Sequence, residues 1–226
     1  ACGERLAALL LAAGLAAGGA AARARESDCI GLLTAERADG AGADLEASRN
    51  GVVPAVAGML RQGIVPVVTG FFGRTPSGRV ATFGRNGSDY SAAVLARLLE
   101  ADRLEIWKDV DGFMSADPKA VPSARPVERL SWREAAELSY FGAKILHPRT
   151  TEPLRDAGIR VWVRNLLQPD RPGTVIDNDG GETERAVKSV TLNRRIALLL
   201  VHGAGVGFRP GVIGEIGDRL AARGIN

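Results

Sequence analysis

Ile64-Val-Pro-Val-Val-Thr69 is a continuous apolar run, the pattern of a strand buried on both of its faces. Such a strand needs helices above and below it, and the flanking sequence offers them. Glu4 to Ala17 reads as a helix, with Leu6, Leu9, Leu10 and Leu15 near one stripe. Ile30 to Leu33 reads as a short strand, and Ala35 to Gly42 as a polar, glycine-rich loop. Pro54 to Gln62 reads as a helix that starts with Pro near its first turn and ends at Gly63. Thr75-Pro-Ser-Gly78 marks the turn of a hairpin. Ser88 is expected to cap a helix reaching about Leu99, followed by a strand from Arg103 to Lys108. Ser131-Trp-Arg-Glu134 is a capping box opening the helix Trp132 to Tyr140. Thr151 to Ala157 is a further helix ended by Gly158, and Ile159 to Asn165 a strand. This alternation predicts an α/β fold with layers of helix on a largely parallel sheet.

Pro169 to Gly181 has the Pro, Gly, Asp and Asn content of a boundary. Beyond it Ile196 to His202 is expected to be a strand, Gly203 to Gly207 a glycine-rich loop and Pro210 to Arg223 a helix. One strand and one helix cannot bury their apolar faces alone, so this second unit is expected to be incomplete. The 226 residues and 46% hydrophobic content suffice for one sizeable core and a small second unit.

Lys and Arg are scattered singly, the net charge is only +3 and aromatics make up 5%, which argues against a nucleic-acid partner. Cys2 and Cys29 lack the short spacings of a zinc or redox site and read as free thiols of a reducing compartment. No bound structural metal is expected from them with His147 and His202. The Ala- and Leu-rich stretch Leu6 to Ala22 could pass for a signal-peptide core. Glu4 stands where a positive n-region belongs, and the glycines at 14, 18 and 19 and Arg23-Ala-Arg25 fit a membrane span poorly. It is read as an internal helix of a globular domain, and the absence of an initial Met as a start inside a longer protein.

Three segments offer chemistry. In Thr82-Phe-Gly-Arg-Asn-Gly-Ser-Asp-Tyr90, Arg85 presents a planar fork suited to a carboxylate, Gly87 permits close backbone approach, and Ser88 heads a helix whose free N–H groups attract anions. An ordinary glycine turn with a solvated Arg is the alternative. Trp107-Lys-Asp-Val-Asp-Gly-Phe-Met-Ser-Ala-Asp-Pro-Lys119 lacks the Glu of a calcium loop. Following a strand, it lies either where ligands sit in open α/β sheets or in a plain surface turn. In Phe141-Gly-Ala-Lys-Ile-Leu-His-Pro148, Lys144 is held near the sheet or is a surface lysine, and His147 reads as a helix-boundary residue. Gly203-Ala-Gly-Val-Gly207 is weak as a phosphate loop and reads as a strand-to-helix turn.

In this order the three segments resemble the aspartokinases, of the amino-acid kinase fold. Residues 1–176 resemble the C-terminal two-thirds of the catalytic domain, 177–190 a linker, and 191–226 the start of an ACT regulatory domain. The resemblance implies ATP-dependent phosphorylation of the side-chain carboxylate of L-aspartate, on the way to lysine, threonine and methionine, with Mg2+ bridging the phosphates. It implies that Glu4, in Gly3-Glu4, meets the aspartate ammonium, and that Arg85, Asn86, Gly87 and Ser88 hold the substrate. Asp89 would orient lysines, Lys144 among them, at the transferring phosphoryl group. Lys108, Asp109, Met114, Lys119, Lys144 and Ile145 would line the nucleotide. Lys108 and Met114 stand where the family often has Thr and Tyr, and Lys119 where it often has Arg. The family's Lys-Phe-Gly-Gly-Ser-Ser phosphate motif does not occur in these 226 residues, so this stretch alone is expected to be inactive. A cytoplasmic homo-oligomer joined through ACT domains, with an amino-acid effector, is the expectation for the complete protein. Another amino-acid kinase, or a non-catalytic ACT-containing regulatory subunit, remains the alternative.

Overall fold

The computed structural model describes residues 1–35, 42–141, 145–181, 187–192, 199–203 and 210–225. They fall into two units, Ala1–Leu192 and Asn193–Asn226.

The first unit opens with α1 (Cys2–Ala17), which lies on the parallel pair β1 (Ala22–Arg25) and β4 (Val65–Val68). The small side chains of Ala8 and Ala12 make this contact, against Val67. The expected leucine stripe is not the buried one: Leu6, Leu9 and Leu10 are 58%, 59% and 64% exposed. β4 is likewise not buried on both faces, since only Val67 of its residues is buried and Val65 is exposed. Its partner β1, Ala22-Arg-Ala-Arg25, carries no strand pattern. Ile30 and Gly31, expected in a strand, form a turn, and the strand residues are β2 (Thr34–Ala35), paired with β3 (Gly42–Ala43).

α2 (Leu45–Arg61) starts well before the expected Pro54, because Asp44 caps it by accepting a hydrogen bond from Ala47 N at 3.0 Å. Pro54 sits inside the helix and removes the bond to the Asn50 carbonyl. Both residues are exposed, so the missing bond does not leave a carbonyl unpaired in the core. The hairpin β5 (Phe72–Arg74) and β6 (Val80–Thr82) turns at Thr75–Gly78 as expected.

α3 (Gly87–Leu98) leads to β7 (Arg103–Lys108), then β8 (Arg129–Ser131), α4 (Trp132–Phe141), α5 (Pro148–Arg155), β9 (Arg160–Asn165) and β10 (Thr174–Asp177). The strands lie in the order β7-β9-β10-β8, parallel at both outer joints and antiparallel between β9 and β10. The α/β class is as expected, with a mixed sheet. The capping box is formed: Ser131 N donates to Glu134 Oε2 at 2.7 Å, and Glu134 N donates to Ser131 Oγ at 3.2 Å. The stretch read as a boundary, Pro169 to Gly181, contains β10, and its Asp177 is buried beside Arg129.

Phe113, Leu130, Leu154, Val161, Val163 and Ile176 form the main core beneath this sheet, each at most 1% exposed. Burying side chains of this size stabilises by ~1.5–3 kcal/mol apiece. The second core joins α2 and α3 through Val52, Val56, Val94 and Leu98, with Phe83. Residues 187–190 still belong to the first unit: Lys188 Nζ donates to Glu134 Oε2 and to the carbonyls of Gly180 and Gly181, and Ser189 Oγ donates to Met114 O.

Of the second unit the described residues hold one regular element, α6 (Val212–Ala221), within the helix expected there. Residues 199–202 of the expected strand Ile196 to His202 are described and form no strand, while residues 196–198 and most of the Gly203 to Gly207 loop lie outside the described residues.

Candidate active site

The head of α3 gathers the first set of side chains. Its N-cap is Asn86, in the left-handed region at φ 56°, rather than Ser88, and Asn86 makes no capping bond with its side chain. Gly87 is buried because its backbone is wedged between aromatics: a Cβ there would lie 2.9 Å from the Phe71 ring and 3.1 Å from Phe83 Cβ. Ser91 Oγ ties this turn down, donating to Ser88 O at 2.9 Å and accepting from Phe71 N at 3.0 Å. Ser88 is thereby free to point outward, and its hydroxyl donates to Glu4 Oε1 at 2.9 Å. Arg85 and Asn86 are exposed beside it.

Glu4 lies in the first turn of α1, which its neighbour Arg5 fixes in place. Arg5 Nε donates to Glu26 Oε2 at 2.8 Å, and the guanidinium stands 5.2 Å from the Phe72 ring centre. Glu26, Asp28 and Cys29 have ligand atoms within 4.8 Å of one another. Arg5, which also reaches Asp28 Oδ2 at 3.5 Å, already places positive charge there, so a cation would have to displace it.

The segment after β7 divides its two aspartates. Asp111 accepts from Asn165 Nδ2 at 2.7 Å and from Arg171 Nη1, which fastens the loop to the end of β9. Asp109 is exposed. Gly112, at φ 93°, lets the chain pass Thr174, where a Cβ would come within 2.5 Å of the hydroxyl oxygen. That hydroxyl accepts from Phe113 N at 2.8 Å and donates to Val127 O at 2.7 Å. Met114 is half-buried in a bridge to Pro126, and Lys119 is exposed.

Lys108, the last residue of β7, pairs with Asp89 in the first turn of α3, Nζ to Oδ2 at 2.9 Å. Of the predicted residues, Glu4 and Ser88 thus meet, as do Asp89 and Lys108. Lys144 lies outside the described residues, while Ile145 is half-buried against the main core. His147 is the N-cap of α5, accepting from Arg149 N at 3.2 Å through Nδ1, as a helix-boundary residue should. Arg149 is a residue the sequence did not single out. Its guanidinium donates to Phe83 O at 3.2 Å and lies 4.5 Å from the Tyr90 ring centre, bracing the start of the Gly84–Asp89 turn. No local pattern announces it.

An exposed Arg, an outward Ser on a helix head and a loop at the end of a parallel strand are features that suit an anion on an α/β scaffold. The chain belongs to the amino acid kinase family, whose model matches residues 1–165. Its relatives within that family are aspartokinases. It is 41% identical over 160 residues to the bifunctional aspartokinase/homoserine dehydrogenase of Haemophilus influenzae, covering 71% of this chain and 20% of that protein. Aspartokinase 3, chloroplastic, of Arabidopsis thaliana is 38% identical over 200 residues, covering 87% and 35%. Among solved structures, E. coli aspartokinase III in complex with aspartate and ADP (R-state) superposes with a TM-score of 0.79 at 32% identity, covering 99% of this chain and 49% of that one. The same protein with lysine and aspartate (T-state) gives 0.80 at 33%, covering 97% and 49%. The chain therefore spans half or less of the length of these relatives.

Proposed function

We propose that this chain carries the substrate and nucleotide segments of an aspartate kinase, which transfers the γ-phosphoryl group of ATP to the side-chain carboxylate of L-aspartate, giving 4-phospho-L-aspartate. The observation that carries this reading is the Ser88–Glu4 hydrogen bond, which joins two substrate segments 84 residues apart. One Glu4 oxygen accepts from Ser88, and the other remains for the ammonium of an amino acid. Arg85 stands on the same turn, ready for a carboxylate, with Asn86, Gly87 and the free N–H groups of the helix head around it. A site offering an anion and a cation at fixed spacing suits a zwitterionic amino acid.

The nucleotide is held along Lys108, Asp109, Met114, Lys119 and Ile145, and the family likeness adds Lys144 to this set. By family likeness Asp89 and Lys144 serve the transferring phosphoryl group. Mg2+ takes one or two carboxylates besides substrate phosphates, and exposed Asp109 fits that need. When bound, the ion would neutralise phosphate charge. The second unit is the start of an ACT-like domain, through which the complete protein pairs with itself and binds an amino-acid effector. Its product feeds the formation of lysine, threonine and methionine. Cys2 and Cys29 are unpaired, in keeping with the reducing cytoplasm. Among the described residues no helix is long and apolar enough to cross a membrane.

Arg85→Ala in the complete protein tests this reading. Losing a charge-assisted pair to the substrate costs ~2–4 kcal/mol, so kcat/KM for aspartate is expected to fall ~30- to 1,000-fold while ADP affinity stays unchanged. An unaltered response to aspartate would remove Arg85 from the site.

A further inference from the structure

The Asp89–Lys108 pair is more sheltered than most ion pairs among the described residues. Its two side chains retain only 20% and 23% of their exposure, whereas the helical pair Arg133–Glu137 retains 89% and 60%. Withdrawing an ammonium and a carboxylate from water offsets most of their attraction, so such a pair is a poor device for stability. Its position is informative. It joins the first turn of α3, beside Arg85 and Ser88, to the carboxyl end of a parallel strand, beside Asp109. Lys108 pairs in register with Asn165, whose side chain also holds Asp111, so the strand end that carries the ammonium is fixed on both sides.

Resting on the aspartate-kinase reading, in which Asp89 orients lysines, we propose that Lys108 is a catalytic residue whose ammonium, directed by Asp89, neutralises the phosphoryl group in transfer. The acceptor carboxylate is already ionised at neutral pH. Its oxygen attacks the γ-phosphorus directly, the new O–P bond forms, and the bond from that phosphorus to the bridging oxygen breaks, its electron pair leaving with ADP. No proton is transferred, so a base has nothing to remove. What the step lacks is positive charge between two anions, and a fixed ammonium supplies it without reorganisation. Lys108 keeps its proton throughout, and the Asp89 carboxylate, accepting from Nζ, sets its direction.

The complete protein, with Lys108→Met and Lys108→Arg beside the wild type, provides the test. Formation of aspartyl hydroxamate from ATP, aspartate and hydroxylamine by the wild type checks the underlying reading; no product there overturns the reading itself. With an active wild type, Lys108→Met is expected to lower kcat ~100- to 1,000-fold, with a rise in the KM for ATP far smaller than that loss. Lys108→Arg, which keeps the charge, is expected to recover turnover to within ~10-fold of wild type. Calorimetric titration with ADP and with a non-hydrolysable ATP analogue adds a reading that a structural lysine would not move: the Met variant should lose affinity for the triphosphate selectively. Turnover of Lys108→Met within ~3-fold of wild type, or equal weakening of both nucleotides, overturns the proposal. If Lys108→Met does not fold, Lys108→Gln carries the same two measurements.

Discussion

Asp109 and Asp111 stand two residues apart and meet opposite fates: the first is exposed, the second is held by Asn165 and Arg171. The intervening geometry depends on Gly112, whose φ of 93° and 2.5 Å approach to the Thr174 hydroxyl leave no room for a side chain. Gly112→Ala combines a left-handed backbone penalty with overpacking, and is expected to destabilise the fold by ~2–4 kcal/mol in chemical denaturation. Because Thr174 bridges Phe113 and Val127, that substitution should also disturb the loop proposed to hold the nucleotide, raising the KM for ATP in the complete protein.

At the level of elements, the joint of β10 with β8 is fastened by charge. Asp177 accepts from Arg129 Nη2 at 2.6 Å and from Gly180 N at 2.9 Å. Burial opposes its ionisation, but the hydrogen bonds from Arg129 and the backbone, with the attraction of the guanidinium, outweigh that and hold its pKa below the usual value. A carboxyl depressed in the folded state stabilises fully above its unfolded pKa and loses this as pH falls through its native one. The contribution of Asp177 is therefore intact above pH ~4 and disappears below it. Asp177→Asn should lose ~1–3 kcal/mol at neutral pH and show a shallower decline of stability below pH ~4, read by circular dichroism. This joint also shows what sequence reading reaches. Signals within a few residues were legible: the Ser131–Glu134 box, the hairpin at Thr75–Gly78, the stop at Gly158. β10 was not, because Pro, Gly and Asp surround it and its strand character comes from partners on β8 and β9. β1 escaped for the same reason, since Arg23 and Arg25 mask a strand defined by β4. In the site, the glycine-marked turns were legible, whereas the pairing of Lys108 with Asp89 depends on how β7 and α3 are placed.

Across the molecule, the reach of the first unit is set by residues 187–190. Lys188 donates to the same Glu134 carboxylate that caps α4, and Val190 N donates to Ser115 O at 2.9 Å. A protein ending after Leu192 retains these bonds, and one ending after Gly181 loses them. The shorter form is expected to melt ~2–8 °C lower than the longer, for ~1–2 kcal/mol of lost hydrogen bonding. Equal melting temperatures would show that the Lys188 clasp contributes nothing. The Ser88–Glu4 bond has a different consequence, for synthesis. Glu4 leaves the ribosome 84 residues before its partner. At ~5–20 residues per second, it waits roughly 4 to 17 s for Ser88 to be made. During that interval α1 has no α3 to meet, and its exposed leucines are presented to whatever binds nascent chains.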